Sequence, residues 1–242
     1  MRKLADRIGV ITGAGRGLGR AIARGLAREG ASLMLTARST DEVSQAADEV
    51  SALGVKVATL AGDITDERHV DAVFEHALGQ FGRLDLLVNN AGAFDGGPLD
   101  ELSTEAWDKV IAVNLRAPFL CTRAALRIMK RQRSGRIINI GSISAQRVRP
   151  QSAPYSASKH GLWGLTQVTA LEGREFGVTC CCLHPGNIYV ERRHTEKPED
   201  AEPMMTPDEI AEVAVLMATL PPHVEMLEAI VLPHQQLYVG RG

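Results

Sequence analysis

Thr12-Gly13-Ala14-Gly15-Arg16-Gly17-Leu18-Gly19 joins a strand to a helix through a glycine-rich turn, and its reading decides the fold. Before it lies Ile8-Gly9-Val10-Ile11, an apolar run of strand length. After it, Leu18, Ala21, Ile22 and Gly25 recur at helical spacing. Four glycines fall within seven positions, more than a tight turn of small residues needs. Glycine there lets backbone N–H groups approach a phosphate closely, and the dipole of the following helix favours the anion. Near the start of the chain and followed by repeated strand–helix units, the turn predicts dinucleotide binding.

Strand and helix patterns alternate outward from this turn. Ser32–Ala37 reads as the second strand, and Ser39 with Glu42 as a capping box for a helix that buries Val43, Ala46, Ala47 and Val50. Val55–Ala61 is a third strand, followed by a helix with Val70, Val73, Phe74 and Ala77 inward. Leu84–Val88 is a fourth, and helical stretches follow at 103–113 and 116–132. Arg136–Ile140, a helix over 154–176 and Val178–Leu183 come next. Thr206-Pro207-Asp208-Glu209 opens the last helix with a cap, a proline at the first position and a capping-box glutamate; Glu228–Leu232 closes as the seventh strand. Apolar strands joined by helical crossovers predict an α/β fold, a doubly wound parallel seven-stranded sheet with helices on both faces. No linker, repeat or low-complexity tract divides the chain, so residues 1–242 read as a single domain.

Composition narrows the function classes. Hydrophobic residues make up 45% of the 242 positions and charged residues 23%, as in ordinary globular proteins. A formal net charge of -2 gives no reason to invoke nucleic acid or an anionic membrane. Neither an apolar leader nor a run of membrane-spanning length is present, which makes the cytoplasm the expected location. The cysteines are Cys121, Cys180, Cys181 and Cys182. Adjacent side chains on a strand point to opposite faces, so the trio cannot converge on one tetrahedral metal. It reads as apolar filling in a reducing compartment, and no metal site is expected.

Ligands of open α/β sheets bind beyond the carboxyl ends of the strands. Those ends carry the glycine turn, Gly62-Asp63-Ile64, Asn89-Asn90-Ala91-Gly92, Gly141-Ser142 and His184-Pro185-Gly186. Tyr155 and Lys159, at i and i+4 in the helix after the fifth strand, share one face. Polar and small residues thus collect at one edge of an apolar sheet.

These residues make the chain resemble the short-chain dehydrogenase/reductase family, whose members reduce carbonyls or oxidise alcohols with a nicotinamide cofactor. The resemblance spans nearly the whole chain. It rests on T-G-x3-G-x-G at Thr12–Gly19, N-N-A-G at 89–92, Asn114, Ser142, Y-x3-K at 155–159 and P-G at 185–186. It implies that Tyr155 is the acid/base. A free tyrosine titrates near about 10, so Lys159 and the positive oxidised nicotinamide would favour the phenolate. Ser142 would polarise the carbonyl oxygen, and Asn114 would hold a water linking Lys159 to solvent. The cofactor-binding set implied is Gly13, Gly15, Arg16, Gly17, Leu18, Gly19, Arg38, Ser39, Asp63, Ile64, Asn90, Ala91, Gly92, Tyr155, Lys159, Pro185, Gly186 and Ile188.

Charge at the end of the second strand selects between cofactors. An NAD-preferring enzyme places a carboxylate there for the ribose 2′-hydroxyl. Here Ala37 holds that position and Arg38 follows. With Arg16 and the Ser39 hydroxyl it makes a site for a 2′-phosphate, which predicts NADP(H). Asp41 and Glu42 are assigned to the helix cap.

The chain departs from the family's pattern twice. Val190 stands where a threonine often helps hold the nicotinamide carboxamide, which leaves that anchoring to backbone near Ile188. The tail from Leu232 to Gly242 lacks the frequent D-G-G. His184 reads as a histidine satisfied by backbone, and Arg192-Arg193-His194 as part of a solvated lid over about 187–205. Tyr189, Met204 and Met205 of that segment are expected against a small carbonyl or alcohol substrate. By resemblance, the helices of 103–132 and 154–176, the latter with Leu162, Trp163, Leu165, Val168 and Leu171, would pair with copies in a homodimer or homotetramer. Two other readings compete: a catalytically silent NADP(H)-binding regulator, and an epimerase or dehydratase of the extended branch. The first would be favoured by loss of one of Asn114, Ser142, Tyr155 or Lys159, all of which are present, and the second needs a larger substrate domain.

Overall fold

The computed structural model describes residues 2–189 and 202–238. Strands β1 (Ile8–Thr12), β2 (Ser32–Ala37), β3 (Val57–Ala61), β4 (Leu86–Asn89), β5 (Gly135–Ile140), β6 (Val178–Pro185) and β7 (Glu228–Val231) form one parallel sheet in the order 3-2-1-4-5-6-7. Helices α1 (Gly17–Arg28), α2 (Thr40–Ser51), α3 (Glu67–Phe81), α4 (Thr104–Ile111), α5 (Ala117–Gln132), α6 (Ala153–Gly173) and α7 (Pro207–Thr219) cover both faces. Among the described residues no helix is long and apolar enough to cross a membrane.

Alternation along the buried strands builds two cores. Ile11, Leu35, Val88, Ile138 and Cys181 meet Ile22 and Leu26 of α1, Val43 and Val50 of α2 and Met217 of α7 on one face. Val10, Met34, Leu87, Ile137 and Cys180 meet Val73 and Phe74 of α3 and Leu120 and Met129 of α5 on the other. Cys180 and Cys181 therefore fill opposite layers, and burial pushes the Cys181 and Cys182 thiols up to about 12. Truncating a fully buried side chain such as Leu26 to alanine costs about 2–5 kcal/mol in such a core.

Two local features differ from the sequence expectation. The helical stretches of 103–113 and 116–132 are continuous, joined by a π-turn over Ala112–Arg116 that carries Asn114. The capping box of α2 is only half formed. Ser39 Oγ accepts the Glu42 N–H at 3.2 Å, but the Glu42 carboxylate turns to Arg16 instead, at 3.3 Å. The box of α7 is complete, with Thr206 and Glu209 capping each other's backbone N–H.

Candidate active site

Chain order reverses between β1 and β4, so the connections leaving their carboxyl ends diverge and open a crevice. The glycine turn forms its floor. Gly13 (φ +64°) and Gly17 (φ +51°) sit in the left-handed region that favours glycine. A Cβ on Gly19 would lie 2.2 Å from the Gly13 oxygen, and one on Gly15 would lie 2.8 Å from Glu42 Cβ. Asn90 braces the turn from β4: its Nδ2 donates to the oxygens of Thr12 at 3.0 Å and Gly13 at 3.1 Å. Thr12 Oγ1 answers by accepting the N–H groups of Asn90 and Ala91 at 3.0 and 3.1 Å. Thr12 thus ties together two segments expected to hold the cofactor, although the sequence reading counted it only as part of a motif.

A dinucleotide fits this floor. Helix α1 begins at Gly17 with no side-chain cap and no acidic residue in its first turn. The same holds for α5, which continues the π-turn, and for α6, whereas α2, α3, α4 and α7 are capped by Ser39, Asp66, Ser103 and Thr206. A pyrophosphate bound at the start of α1 would supply the acceptors its N–H groups lack. Arg38 is exposed at the end of β2, next to Ser39. Asp63 is held below the usual carboxylate range by the backbone N–H and hydroxyl of Thr65, with the Arg38 charge adding to them. Arg16 and Glu42 are both near half-exposed, so the pair is open to exchange with an incoming anion.

The residues expected to do chemistry meet at the adjacent end of β5. Lys159 is buried, donates from Nζ to the Ile140 oxygen at 2.7 Å, and stands 5.6 Å from the centre of the Tyr155 ring. Ser142 is buried, its Oγ accepting the Ser144 N–H at 3.1 Å. Asn114 is buried rather than solvated. It trades hydrogen bonds with Ala93 in both directions at 2.8 Å, and Nδ2 also reaches Ser158 Oγ at 3.2 Å. Both amide hydrogens are thereby used, so only a lone pair on Oδ1 and the main chain of the π-turn are left to receive a water. Such turns recur at functional sites, and the helical periodicity on either side concealed this one. Phe94 was also missed. It is 65% exposed and tilts over Tyr155 at 5.3 Å between ring centres. Its place just beyond N-N-A-G, at a strand end, was the available signal.

His184 lies fully buried on β6, edge-on to Trp163, and its Nδ1–H donates to the Ser142 oxygen at 2.9 Å. This is the backbone satisfaction expected of it. Nε2 makes no hydrogen bond, although Glu228 Oε1 lies 3.4 Å away. Burial holds its pKa below the usual histidine value. Beyond β6, Gly186 N–H donates to the Val231 oxygen at 2.7 Å, and Ile188 pairs with Met205. Val190, Arg192-Arg193-His194 and most of the expected lid lie outside the described residues.

The sequence model of the short chain dehydrogenase family matches residues 7–201. An uncharacterized oxidoreductase of Staphylococcus aureus is 35% identical over 233 residues, covering 96% of this chain and 100% of its own. The crystal structure of a metagenomic short-chain oxidoreductase in complex with NADP is 36% identical, with a TM-score of 0.85 over 97% of this chain and 100% of that one. An alcohol dehydrogenase from the archaeon Thermococcus sibiricus, complexed with 5-hydroxy-NADP, is 31% identical with a TM-score of 0.86, over 95% and 97% of the two chains. With its glycine turn, its Tyr155–Lys159 pair and these relatives along almost its full length, the chain belongs to the short chain dehydrogenase family of oxidoreductases.

Proposed function

We propose that the protein is an NADP(H)-dependent reductase of ketones or 3-oxo groups, with Tyr155 as acid/base. The observation that carries the reading is the buried Lys159 ammonium 5.6 Å from the Tyr155 ring. A nicotinamide held over this site would supply the hydride. Ser142 Oγ, whose acceptor side is engaged by Ser144, turns its O–H to the substrate oxygen and polarises it. Tyr155 gives its proton to that oxygen as charge develops there. The fixed Lys159 charge stabilises the phenolate left behind. Lys159 keeps ammonium hydrogens beyond the one given to Ile140, and the Asn114 turn holds the water that returns a proton to Tyr155. Phe94 beside Tyr155, with Tyr189 and Met204 of the segment after β6, would meet the apolar part of the substrate, whereas Met205, expected with them, is buried in the core instead.

NADP(H) is preferred on charge, since Arg38 and Ser39 open α2 where a carboxylate would repel a 2′-phosphate, and Arg16 reaches toward it from the glycine turn. The NADP complex of the metagenomic relative supports the same choice. A silent nucleotide-binding regulator is disfavoured because Asn114, Ser142, Tyr155 and Lys159 are all present in the chain. The exposed Phe119, Val168 and Leu171 on α5 and α6 favour pairing with a second copy. The test is NADPH consumption across a panel of ketones and aldehydes. Turnover of at least one class is expected, and inertness toward all of them while NADPH binds would favour the regulator.

A further inference from the structure

Gly186-Asn187-Ile188 holds no side-chain hydroxyl toward the nicotinamide end, yet it is fastened on every side. Asn187 is buried, and each of its polar atoms has a partner. Its Oδ1 accepts from Arg149 Nη2 at 3.1 Å, and its Nδ2 donates to Glu202 Oε2 at 2.5 Å. Its carbonyl accepts the Met205 N–H at 2.9 Å. The remaining group, the Asn187 N–H, donates at 2.9 Å to Gln236 Oε1, a residue 49 positions away in the tail beyond β7.

That tail residue is closely seated. A Cβ on Gly186 would come within 2.1 Å of Gln236 Oε1, so glycine at 186 is what admits the carboxamide. A turn closed by the Gln236 N–H on the Pro233 oxygen at 2.9 Å brings the side chain back over β6. Further along, Tyr238 donates to Gln146 in the loop after Ser142, and its ring lies 5.4 Å from the Arg147 guanidinium. The tail is therefore held at two separate points, the turn after β6 and the loop after Ser142.

We infer that Gln236 is a positioning residue for the nicotinamide end of the cofactor, acting through the Asn187 N–H to fix the turn Gly186–Ile188. The inference rests on the reading of that turn as the carboxamide anchor. Without Gln236 a buried N–H loses its acceptor and the turn relaxes toward another one, so the cost falls on the nicotinamide half of the ligand. The adenosine half, held by the glycine turn and α2, is untouched.

Titration of NADPH and of 2′,5′-ADP, which lacks the nicotinamide, into the full chain separates the two halves. Gln236→Met keeps the length of the side chain and removes its acceptor; it should raise the NADPH Kd about tenfold and leave the 2′,5′-ADP Kd within about twofold. Gln236→Glu, which keeps the acceptor, should restore NADPH affinity to within about threefold of wild type. An unchanged NADPH Kd in Gln236→Met, or parallel weakening of both ligands, overturns the inference while leaving the cofactor reading intact. Wild-type protein that binds no nicotinamide dinucleotide overturns both.

Discussion

The ammonium of Lys159 is held between the main-chain oxygen of Ile140, 2.7 Å away, and the ring of Tyr155, whose centre is 5.6 Å away. Ile140 is the last residue of β5, so the position of this charge is set by the rigid sheet. Tyr155 precedes Lys159 by one helical turn and is half-buried, with the Phe94 ring tilted against it. A fixed positive charge beside a phenol open to the crevice is the arrangement a proton donor to a reacting oxygen requires. The remaining groups organise around it: Ser142 at the end of β5, Asn114 in its π-turn, and the glycine floor across the crevice.

The proposed preference for NADP(H) rests on Arg38. Arg38→Asp places a carboxylate where a 2′-phosphate would lie, and kcat/KM with NADPH should fall by about 100-fold or more while that with NADH changes little or rises. Steady-state kinetics with each cofactor reads this out. A wild-type ratio favouring NADH, or equal losses with both cofactors, contradicts it.

Stability should fall on mild acidification because of His184 and His69. Burial holds both below the usual histidine value of 6.5. As pH drops through that value, the unfolded chain takes up protons that the folded chain does not, so acid favours unfolding. The contribution is complete above about pH 7 and is lost below it. The urea midpoint should decline between about pH 7.5 and 5.5, and His184→Gln should make that decline shallower. A midpoint that holds or rises over this range goes against the account.

Exposed apolar surface on neighbouring helices predicts assembly. Phe119 is 43% exposed on α5, and Val168 and Leu171 are 51% and 62% exposed on α6. Leu162, expected from its position on α6 to face a second copy, is instead buried in the core. Light scattering should give a multiple of the 26.1 kDa chain mass at micromolar concentration, and Val168→Glu with Leu171→Glu should lower it. A monomer in the wild type would falsify this.

Much of the architecture was legible because period and punctuation agreed. Apolar runs of strand length, caps at Ser39 and Thr206 and glycines at Gly13–Gly19 all belong to local physics, and local physics fixed β1 through β7 to within about two residues. The strand ends then named the candidate site. What stayed hidden depends on contacts distant in sequence or on backbone detail. The π-turn around Asn114 shares its apolar spacing with an ordinary helix. Glu42 left the cap for Arg16, a choice set by how closely α2 approaches the glycine turn. Gln236 and Asn187 meet across 49 positions, a pairing no window of sequence contains.

The central claim is that Tyr155 is the acid/base of a nicotinamide-dependent carbonyl reduction, and Tyr155→Phe tests it most directly, because only the phenolic oxygen is removed. On any substrate the wild type accepts, kcat should drop by about 10²–10⁴-fold while the NADPH Kd stays within a few-fold, as general acid–base catalysis predicts. Retention of more than about a tenth of wild-type kcat, with cofactor still bound, would contradict the account.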